Sequence, residues 1–202
     1  TAVVKDAAGK DVTDQFKVAT VLGKLAINKR SVKLESASGS KPYDGTPLTK
    51  PEVTVSGDGF VDGEVTEVKA TGSVTYVSDG EVTNTIIIVE GENFKAENYA
   101  IEKTEGTLKV TDRAENEKYE ITITTKSGTL LYNGKEQKIT GFVTNEFTVN
   151  NQKYTVSGLT AEAKGTNAGE YTAEVTGTAV VKDAAGKDVT DQFKVATVLG
   201  KL

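Results

Sequence analysis

The stretch TAVVKDAAGKDVTDQFKVATVLGKL occurs twice in the chain, at residues 1–25 and again at residues 178–202. A shared fold alone does not preserve so many identical letters, because surface changes and conservative core substitutions are widely tolerated. The two copies are therefore recent duplicates. We expect the chain to be a window cut from a longer array whose period is 177 residues.

A second and more diverged repeat lies inside the first. NYAIEKTEGTLKV (98–110) matches QFKVATVLGKL (192–202) with an offset of 94 residues, whereas the turn at Tyr43 matches the turn at Tyr132 with an offset of 89 residues. Matched landmarks in the same order predict two related domains, and loop insertions explain the drift in offset. The expected organisation is the incomplete C-terminal tail of a preceding repeat (1–26), repeat A (27–112) and repeat B (113–202).

Short stretches of alternating apolar and polar residues run along both repeats and predict half-buried strands. Turn-forming pairs such as Asp58-Gly59 and Asn133-Gly134 separate them, which favours an all-β sandwich or barrel. The stretch 182–193 is expected to form one short helical turn at most. The predicted strands are 31–36, 52–57, 73–77, 85–89, 107–111, 119–125, 153–158 and 170–177.

The composition excludes most enzyme mechanisms, because the chain has no His, Cys, Met or Trp. A Ser/Lys pair, a carboxylate pair or a metal held by oxygen ligands remain as possible chemistries. The net charge of −5, from 24 basic and 29 acidic residues, argues against a nucleic-acid or anionic-membrane surface. The longest aliphatic run, 86–89, is far shorter than the roughly 20 residues that cross a bilayer. Any export signal or anchor is expected outside this window.

Three polar clusters have residue types that could form a site. Ser38 and Lys41 have the S-x-x-K spacing of serine acyltransferases, but they lie in a Gly/Ser loop. Asp58, Asp62 and Glu64 could offer oxygen ligands to calcium, although their spacing is not that of an EF-hand. The acidic and amide side chains of the stretch 188–192 could likewise offer oxygen ligands to calcium. We interpret all three as solvated turns and assign no catalytic, cofactor or metal residue.

A Lys–Asn isopeptide bond is a further possibility in a domain without disulfides. It would need Lys33 and Asn98 on adjacent buried strands with Glu64 or Glu67 beside them, and the last strand of repeat B offers Gln192 instead of Asn. Ordinary surface positions are the alternative.

Aromatic residues are scarce, at 6% of the chain. Phe60, Phe142 and Phe147 could form a carbohydrate-stacking platform, but core filling is the interpretation we prefer. Tyr43 and Tyr132 lie just before turns, where each ring is expected to cover the end of a thin core while its hydroxyl bonds to the backbone. Gly106 and Gly200 precede a last strand, where a positive φ or a tight bend is expected.

KPYDGTPLT (41–49), ENYAIEKTEGTLKVT (97–111) and DVTDQFKVATVLGKLAI (11–27) together resemble the YDG and MBG types of tandem β-sandwich repeat found in large bacterial surface proteins and adhesins. Repeat B departs from the pattern with Tyr-Asn-Gly-Lys at 132–135. The resemblance implies two immunoglobulin-like sandwiches in an elongated, extracellular, cell-wall-attached array of a Gram-positive bacterium.

The expected function is that of a non-enzymatic spacer. Each repeat would bury its own core, and the short links at 28–30 and 112–116 would limit bending, so that length scales with repeat number. The expected partners are neighbouring repeats and host glycans or glycoproteins, with no nucleic acid and no membrane insertion. As an alternative function, the repeats are themselves adhesive modules that bind such a glycan or glycoprotein multivalently. Residues 1–25 are expected to be disordered or to add as strands to a neighbouring molecule.

Overall fold

A computed structural model describes residues 2–202, and within them the fold is all-β, consistent with a β-sandwich. Short 3-10 turns lie at Thr13–Gln15, Val77–Asp79, Ala96–Asn98, Glu115–Glu117 and Thr190–Gln192, and no α-helix occurs in this range. The strands are β1 (Arg30–Ser36), β2 (Gly39–Pro42), β3 (Leu48–Thr49), β4 (Val53–Gly57), β5 (Val65–Ala70), β6 (Ser73–Val74), β7 (Glu81–Thr83), β8 (Ile86–Glu90), β9 (Tyr99–Thr104), β10 (Thr107–Thr111), β11 (Tyr119–Thr124), β12 (Gln137–Thr140), β13 (Glu146–Val149), β14 (Gln152–Gly165), β15 (Glu174–Asp183) and β16 (Phe193–Val198).

Repeat A is built on two three-stranded sheets and two short pairs. In the first sheet β1 lies between β4, which is antiparallel, and β9, which is parallel. In the second, β10 lies between β2, which is parallel, and β7, which is antiparallel. Strands β3 and β6 form one short pair, and β5 and β8 form the other. Alternating burial along β1 turns Val32 and Leu34 into the core, as its period-two pattern predicts.

Repeat B is organised around β14, which pairs with β12, β13 and β15. The register of β14 with β15 shifts at Gly158, where φ is +79°. A Cβ atom there would lie 2.2 Å from the carbonyl oxygen of Thr178, so only glycine fits this bulge. Strand β16 pairs in parallel with β11 alone. Every strand pair of the described chain joins two strands of the same repeat.

The two repeats share a parallel pair between their first strand and a late strand. Arg30 lies opposite Tyr99 in the β1–β9 pair, and Tyr119 lies opposite Phe193 in the β11–β16 pair. These positions are separated by the same offsets, 89 and 94 residues, that relate the two repeats in the sequence.

The buried side chains form two clusters, and the larger one crosses from repeat A to repeat B. The smaller cluster holds Val32, Leu34, Ile86 and Tyr99. The expectation that each repeat buries its own core therefore needs correction, because repeat A contributes Tyr43 to a continuous apolar cluster with Tyr154 of repeat B. The other buried members are Val74, Leu108, Val110, Ile121, Ile123, Val156, Val181, Val189 and Phe193.

Two predicted strands are shorter than expected. Of 73–77, only β6 is paired as a strand, because Asp79 accepts a hydrogen bond from the Tyr76 N–H (3.0 Å) and closes a turn. Of 170–177, only the part from Glu174 onward belongs to a strand. The short turn allowed within 182–193 is the 3-10 turn at Thr190–Gln192.

Gly106 and Gly200 are required by close packing, and the expected positive φ is absent at both positions. A Cβ atom on Gly106 would lie 2.5 Å from the carbonyl carbon of Ala37. One on Gly200 would lie 2.5 Å from the carbonyl oxygen of Lys126. Both glycines therefore let the chain pass close to the segment that follows the first strand of its repeat.

Residues 2–25 and their identical copy, residues 179–202, adopt the same local turn but different long-range structure. In both, an aspartate carboxylate (Asp6 or Asp183) accepts two backbone N–H groups at 2.8–2.9 Å. The C-terminal copy then continues as β16, whereas residues 16–25 form no strand. The same sequence therefore folds locally in both places and packs fully in only one.

Candidate functional site: the contact between the repeats

The polar clusters of the sequence do not assemble into a reactive centre. Lys41 donates to Asp44 (2.8 Å) and Thr46 (2.7 Å) instead of Ser38. The Ser38 hydroxyl accepts the Thr107 N–H (3.0 Å) from β10. These hydrogen bonds stabilise the loop. Lys41 does not contact the Ser38 hydroxyl, as it would have to in an S-x-x-K acyltransferase site.

The acidic side chains at 58–64 accept hydrogen bonds from a backbone N–H and from a tyrosine hydroxyl. Asp58 accepts the Ser31 N–H at 2.8 Å, and Glu64 accepts the hydroxyl of Tyr99. Across residues 2–202, no three or more acidic side chains are placed together to hold a metal ion. In the stretch 188–192, Asp188 accepts hydrogen bonds from Thr190.

The residues considered for an isopeptide bond are not brought together. Lys33 has a side chain 63% exposed and lies 3.6 Å from Glu102 across the parallel pair. Asn98 is exposed and comes one residue before Tyr99, which pairs with Arg30, three residues away from Lys33 on β1. This possibility is therefore wrong for repeat A.

The three phenylalanines fill cores. Phe60 packs edge-on against Phe94, with ring centroids 6.3 Å apart, beside the smaller cluster. Phe142 and Phe147 are half-buried against the larger cluster. They do not form one exposed platform.

The most specific arrangement of side chains is the contact between repeats A and B, which we call the junction. Its centre is the turn that follows β2. Tyr43 is 1% exposed, and its hydroxyl lies 3.4 Å from that of Tyr154, which is 2% exposed. The prediction that the Tyr43 hydroxyl bonds to the backbone is therefore wrong, since its partner is a tyrosine of the other repeat.

Gly45 allows this turn to approach repeat B closely. Its φ is +80°, and a Cβ atom would lie 2.6 Å from the Tyr154 hydroxyl and 3.0 Å from the Gln152 side chain. Burial raises the pKa of the Asp44 carboxyl, but hydrogen bonds from Lys41 and Thr46 outweigh burial and hold that pKa below its usual value. The ionised aspartate thus fixes the turn that carries Tyr43 and Gly45.

A second contact joins the loop after β6 to the end of β15. The Tyr76 hydroxyl donates to the Asp183 carboxylate at 2.6 Å, and the Lys187 ammonium lies 5.4 Å from the centre of the Tyr76 ring. The hydrogen bond to Asp183, together with burial, raises the pKa of Tyr76 to about 12. Burial and the Tyr154 hydroxyl also raise the pKa of Tyr43. Both phenols therefore stay protonated well into the alkaline range.

The third contact is made by the linker itself. The Arg113 guanidinium donates to the carbonyl oxygen of Tyr43 (3.0 Å) and to the hydroxyl of Tyr119 (3.1 Å), and its carbon lies 4.1 Å from the Tyr119 ring centre. Gln192 is 4% exposed. Its amide oxygen accepts a hydrogen bond from the backbone N–H of Arg113 (3.0 Å), and its amide NH2 group donates to the Asp112 carboxylate (2.6 Å). The linker is thereby tied to both repeats.

The equivalent turn of repeat B has no such partner within the described chain. Tyr132 is 63% exposed, so the prediction that its ring covers the end of a core is wrong in this structure. Leu130 and Leu131 beside it are also exposed. Together with Tyr171 and Leu202, Leu130 and Tyr132 line a cavity of about 260 Å³ at the end of repeat B that is remote from the junction.

Local sequence patterns point to Tyr43 and to the linker 112–116 but not to their partners. Tyr76, Asp183 and Gln192 take part in the junction through contacts between residues about 80 to 110 positions apart. Periodicity and turn signals carry no information at that range.

No helix among residues 2–202 has the length and apolar character needed to span a membrane.

No known protein family, curated protein or solved structure matches this chain.

Proposed function

We propose that repeats A and B are spacer domains of a bacterial cell-surface adhesin, arranged as two tandem immunoglobulin-like sandwiches that hold a distal binding region away from the cell wall. The junction is the observation that carries this proposal. A spacer needs domains that do not collapse onto one another, and a freely jointed link would not provide that.

The junction opposes bending because its contacts come from three separate elements. Tyr43 contacts Tyr154 from the turn after β2, Tyr76 contacts Asp183 from the loop after β6, and Arg113 anchors the linker. Contacts from three separate elements restrict the relative orientation of the repeats, and the Tyr43 contact is buried.

The exposed end of repeat B supports repetition of this geometry. The turn at Tyr132 is equivalent in sequence to the turn at Tyr43, and it presents Leu131 and Tyr132 to solvent. We propose that it contacts the beginning of a following A-type repeat. There Tyr99, the equivalent of Phe193, packs against Phe94 with ring centroids 5.4 Å apart. An array would then have a contact at every boundary.

The experiment is a distance measurement between the repeats by double electron–electron resonance. The chain has no cysteine, so Thr54→Cys on β4 and Thr148→Cys on β13, both exposed, give one spin-label pair without further changes. We expect a single narrow distance distribution. Combining this pair with Tyr76→Phe and Arg113→Ala should broaden it. A broad distribution in the parent pair would contradict a stiff spacer.

The adhesive function stays a second candidate because of the end of repeat B. Leu130, Tyr132 and Tyr171 around the 260 Å³ cavity are the kind of surface on which a sugar ring stacks. A glycan array probed with the parent chain and with Tyr132→Ala tests it. Binding that is lost in the variant would favour adhesion by the repeats, whereas no binding by the parent would favour the spacer.

A further inference from the structure

Residues 3–25, which we call the donor segment, have the same sequence as residues 180–202 but leave most of their large apolar side chains exposed. Phe16 is 57% exposed, whereas Phe193, the same residue in the other copy, is 6% exposed. Val21, Leu22 and Leu25 are also largely exposed. The donor segment thus carries an apolar strand sequence that has no strand partner within the described chain.

The surface that fits this sequence is present in repeat B, and we call it the receiving groove: the face of repeat B now covered by residues 180–202. Along it, β11 pairs in parallel with β16, from Tyr119 opposite Phe193 to Thr124 opposite Val198. Beyond β11, Thr125 accepts the Gly200 N–H. Strand β16 pairs only with β11, so the exchange has to replace that pair and the pairing of residues 180–183 with residues 154–157 of β14.

The donor segment is already shaped for part of this groove. The Val4 N–H donates to the Thr13 hydroxyl at 2.9 Å, and Val181 donates to Thr190 at the same distance in the other copy. A segment that holds its bound turn before docking loses less conformational entropy on docking.

The groove of its own chain is out of reach. Seated in the groove, the donor segment would place residue 25 at the position of Leu202, beyond the far end of β11. Residues 26–29 then have to reach Arg30, and five Cα–Cα steps span at most about 18 Å. Strand β1 starts at Arg30 and leads through β2 to the junction, and its seven residues alone extend about 20 Å at ~3.3 Å per residue. The groove lies beyond the junction and is therefore farther from Arg30 than the linker can reach. The groove of a second molecule has no such restriction.

We propose that the donor segment of one molecule replaces residues 180–202 in the receiving groove of a second copy of this chain, so that copies join head to tail. The exchange makes the same contacts that it breaks, which is the condition under which strand swapping has a low cost. Since the donor segment precedes repeat A and the groove lies in repeat B, the contact is heterologous and extends into a series. This inference does not depend on the proposed spacer function.

The test compares substitutions at the same residue of the two copies in the full chain. Phe193→Ala weakens the resident segment, while Phe16→Ala makes the identical change in the donor. Truncating the buried phenylalanine of the resident segment shifts the equilibrium between the resident and donor segments in the groove by about 100-fold or more in favour of the intact donor. We expect sedimentation velocity to show Phe193→Ala forming oligomers that grow with concentration, and Phe16→Ala remaining a monomer.

The double variant Phe16→Ala/Phe193→Ala separates strand exchange from loss of folding. It destabilises repeat B as much as Phe193→Ala does, but its donor has lost the same ring, so we expect far fewer oligomers. A fluorescein-labelled peptide of residues 3–25 should bind Phe193→Ala and shorten its oligomers, and the peptide with Phe16→Ala should not. Equal association of single and double variants, or a monomeric Phe193→Ala that does not bind the peptide, would overturn the proposal.

Discussion

Replacing Gln192 by alanine is expected to destabilise the chain through the junction, and the chain supplies its own control. Gln192 is buried and hydrogen-bonded to Arg113 (3.0 Å) and Asp112 (2.6 Å), whereas Gln15 occupies the same place in the identical N-terminal copy and is exposed. The two substitutions remove the same atoms from the same local sequence. Their difference therefore isolates the contribution of the junction.

The magnitude follows from the two hydrogen bonds. The bond to the Arg113 N–H is neutral and contributes about 0.5–1.5 kcal/mol, while the bond to a carboxylate contributes somewhat more, reduced here because Asp112 is exposed. We expect Gln192→Ala to lower the free energy of unfolding by about 1–3 kcal/mol, and Gln15→Ala by less than about 0.5 kcal/mol.

Urea denaturation followed by far-ultraviolet circular dichroism measures both variants against the parent. At about 2–4 °C per kcal/mol for a chain of this size, thermal melting should agree. If Gln192→Ala and Gln15→Ala were equally stable, the linker would not be held by this glutamine, and the argument for a fixed junction would fail.

Three further predictions concern the junction and the glycine contacts. Gly45→Ala should lower the free energy of unfolding by about 1–3 kcal/mol, because it strains a positive φ and presses a Cβ atom against Tyr154. Gly134→Ala strains a similar turn in open space and should cost less, and urea denaturation of both variants measures the difference. Stability should fall as pH rises from about 10 to about 12, because folded Tyr76 keeps its proton after the unfolded phenol has lost it, and Tyr76→Phe should flatten that fall in alkaline melts. Gly106→Ala should destabilise repeat A by at least about 1 kcal/mol, because its Cβ atom would meet backbone and not a movable side chain, which thermal melting can measure.

Each of these predictions has an outcome that contradicts it. Equal costs at Gly45 and Gly134 would mean that repeat B does not press against the turn. An unchanged alkaline profile in Tyr76→Phe would mean that its hydroxyl is not bound to Asp183 in solution. If Gly106→Ala left the melting temperature unchanged, the backbone at Gly106 could move away from Ala37 without loss of stability.

Local patterns in the sequence predict the all-β fold and strands such as β1, β4 and β11, but they do not predict the six-residue strands β5, β9 and β16. The alternation in β1 follows directly from the side chains that must face the core, so Val32 and Leu34 could be assigned to it. Strands of two or three residues, such as β3 and β6, are too short to show a period. The strand expected at 73–77 ended early because the Asp79 side chain competes for backbone N–H groups, which alternation does not reveal.

The junction could be predicted only in part. A tyrosine before an Asp-Gly turn indicates a ring at the end of a sheet, but the identity of its cover depends on how two repeats meet. Tyr43 and Tyr132 have the same local pattern, and the structure buries one and exposes the other. The difference comes from the repeat that follows Tyr43 in space, which no local signal encodes.

Small-angle X-ray scattering on chains of one, two and three 177-residue units tests the stiff-spacer account most directly. If contacts like the junction recur at each boundary, the maximum dimension should grow by a constant increment. Two repeats, each spanned by about twelve residues of strand at ~3.3 Å, give roughly 80 Å per unit. Sublinear growth, or a compact particle at three units, would contradict the account.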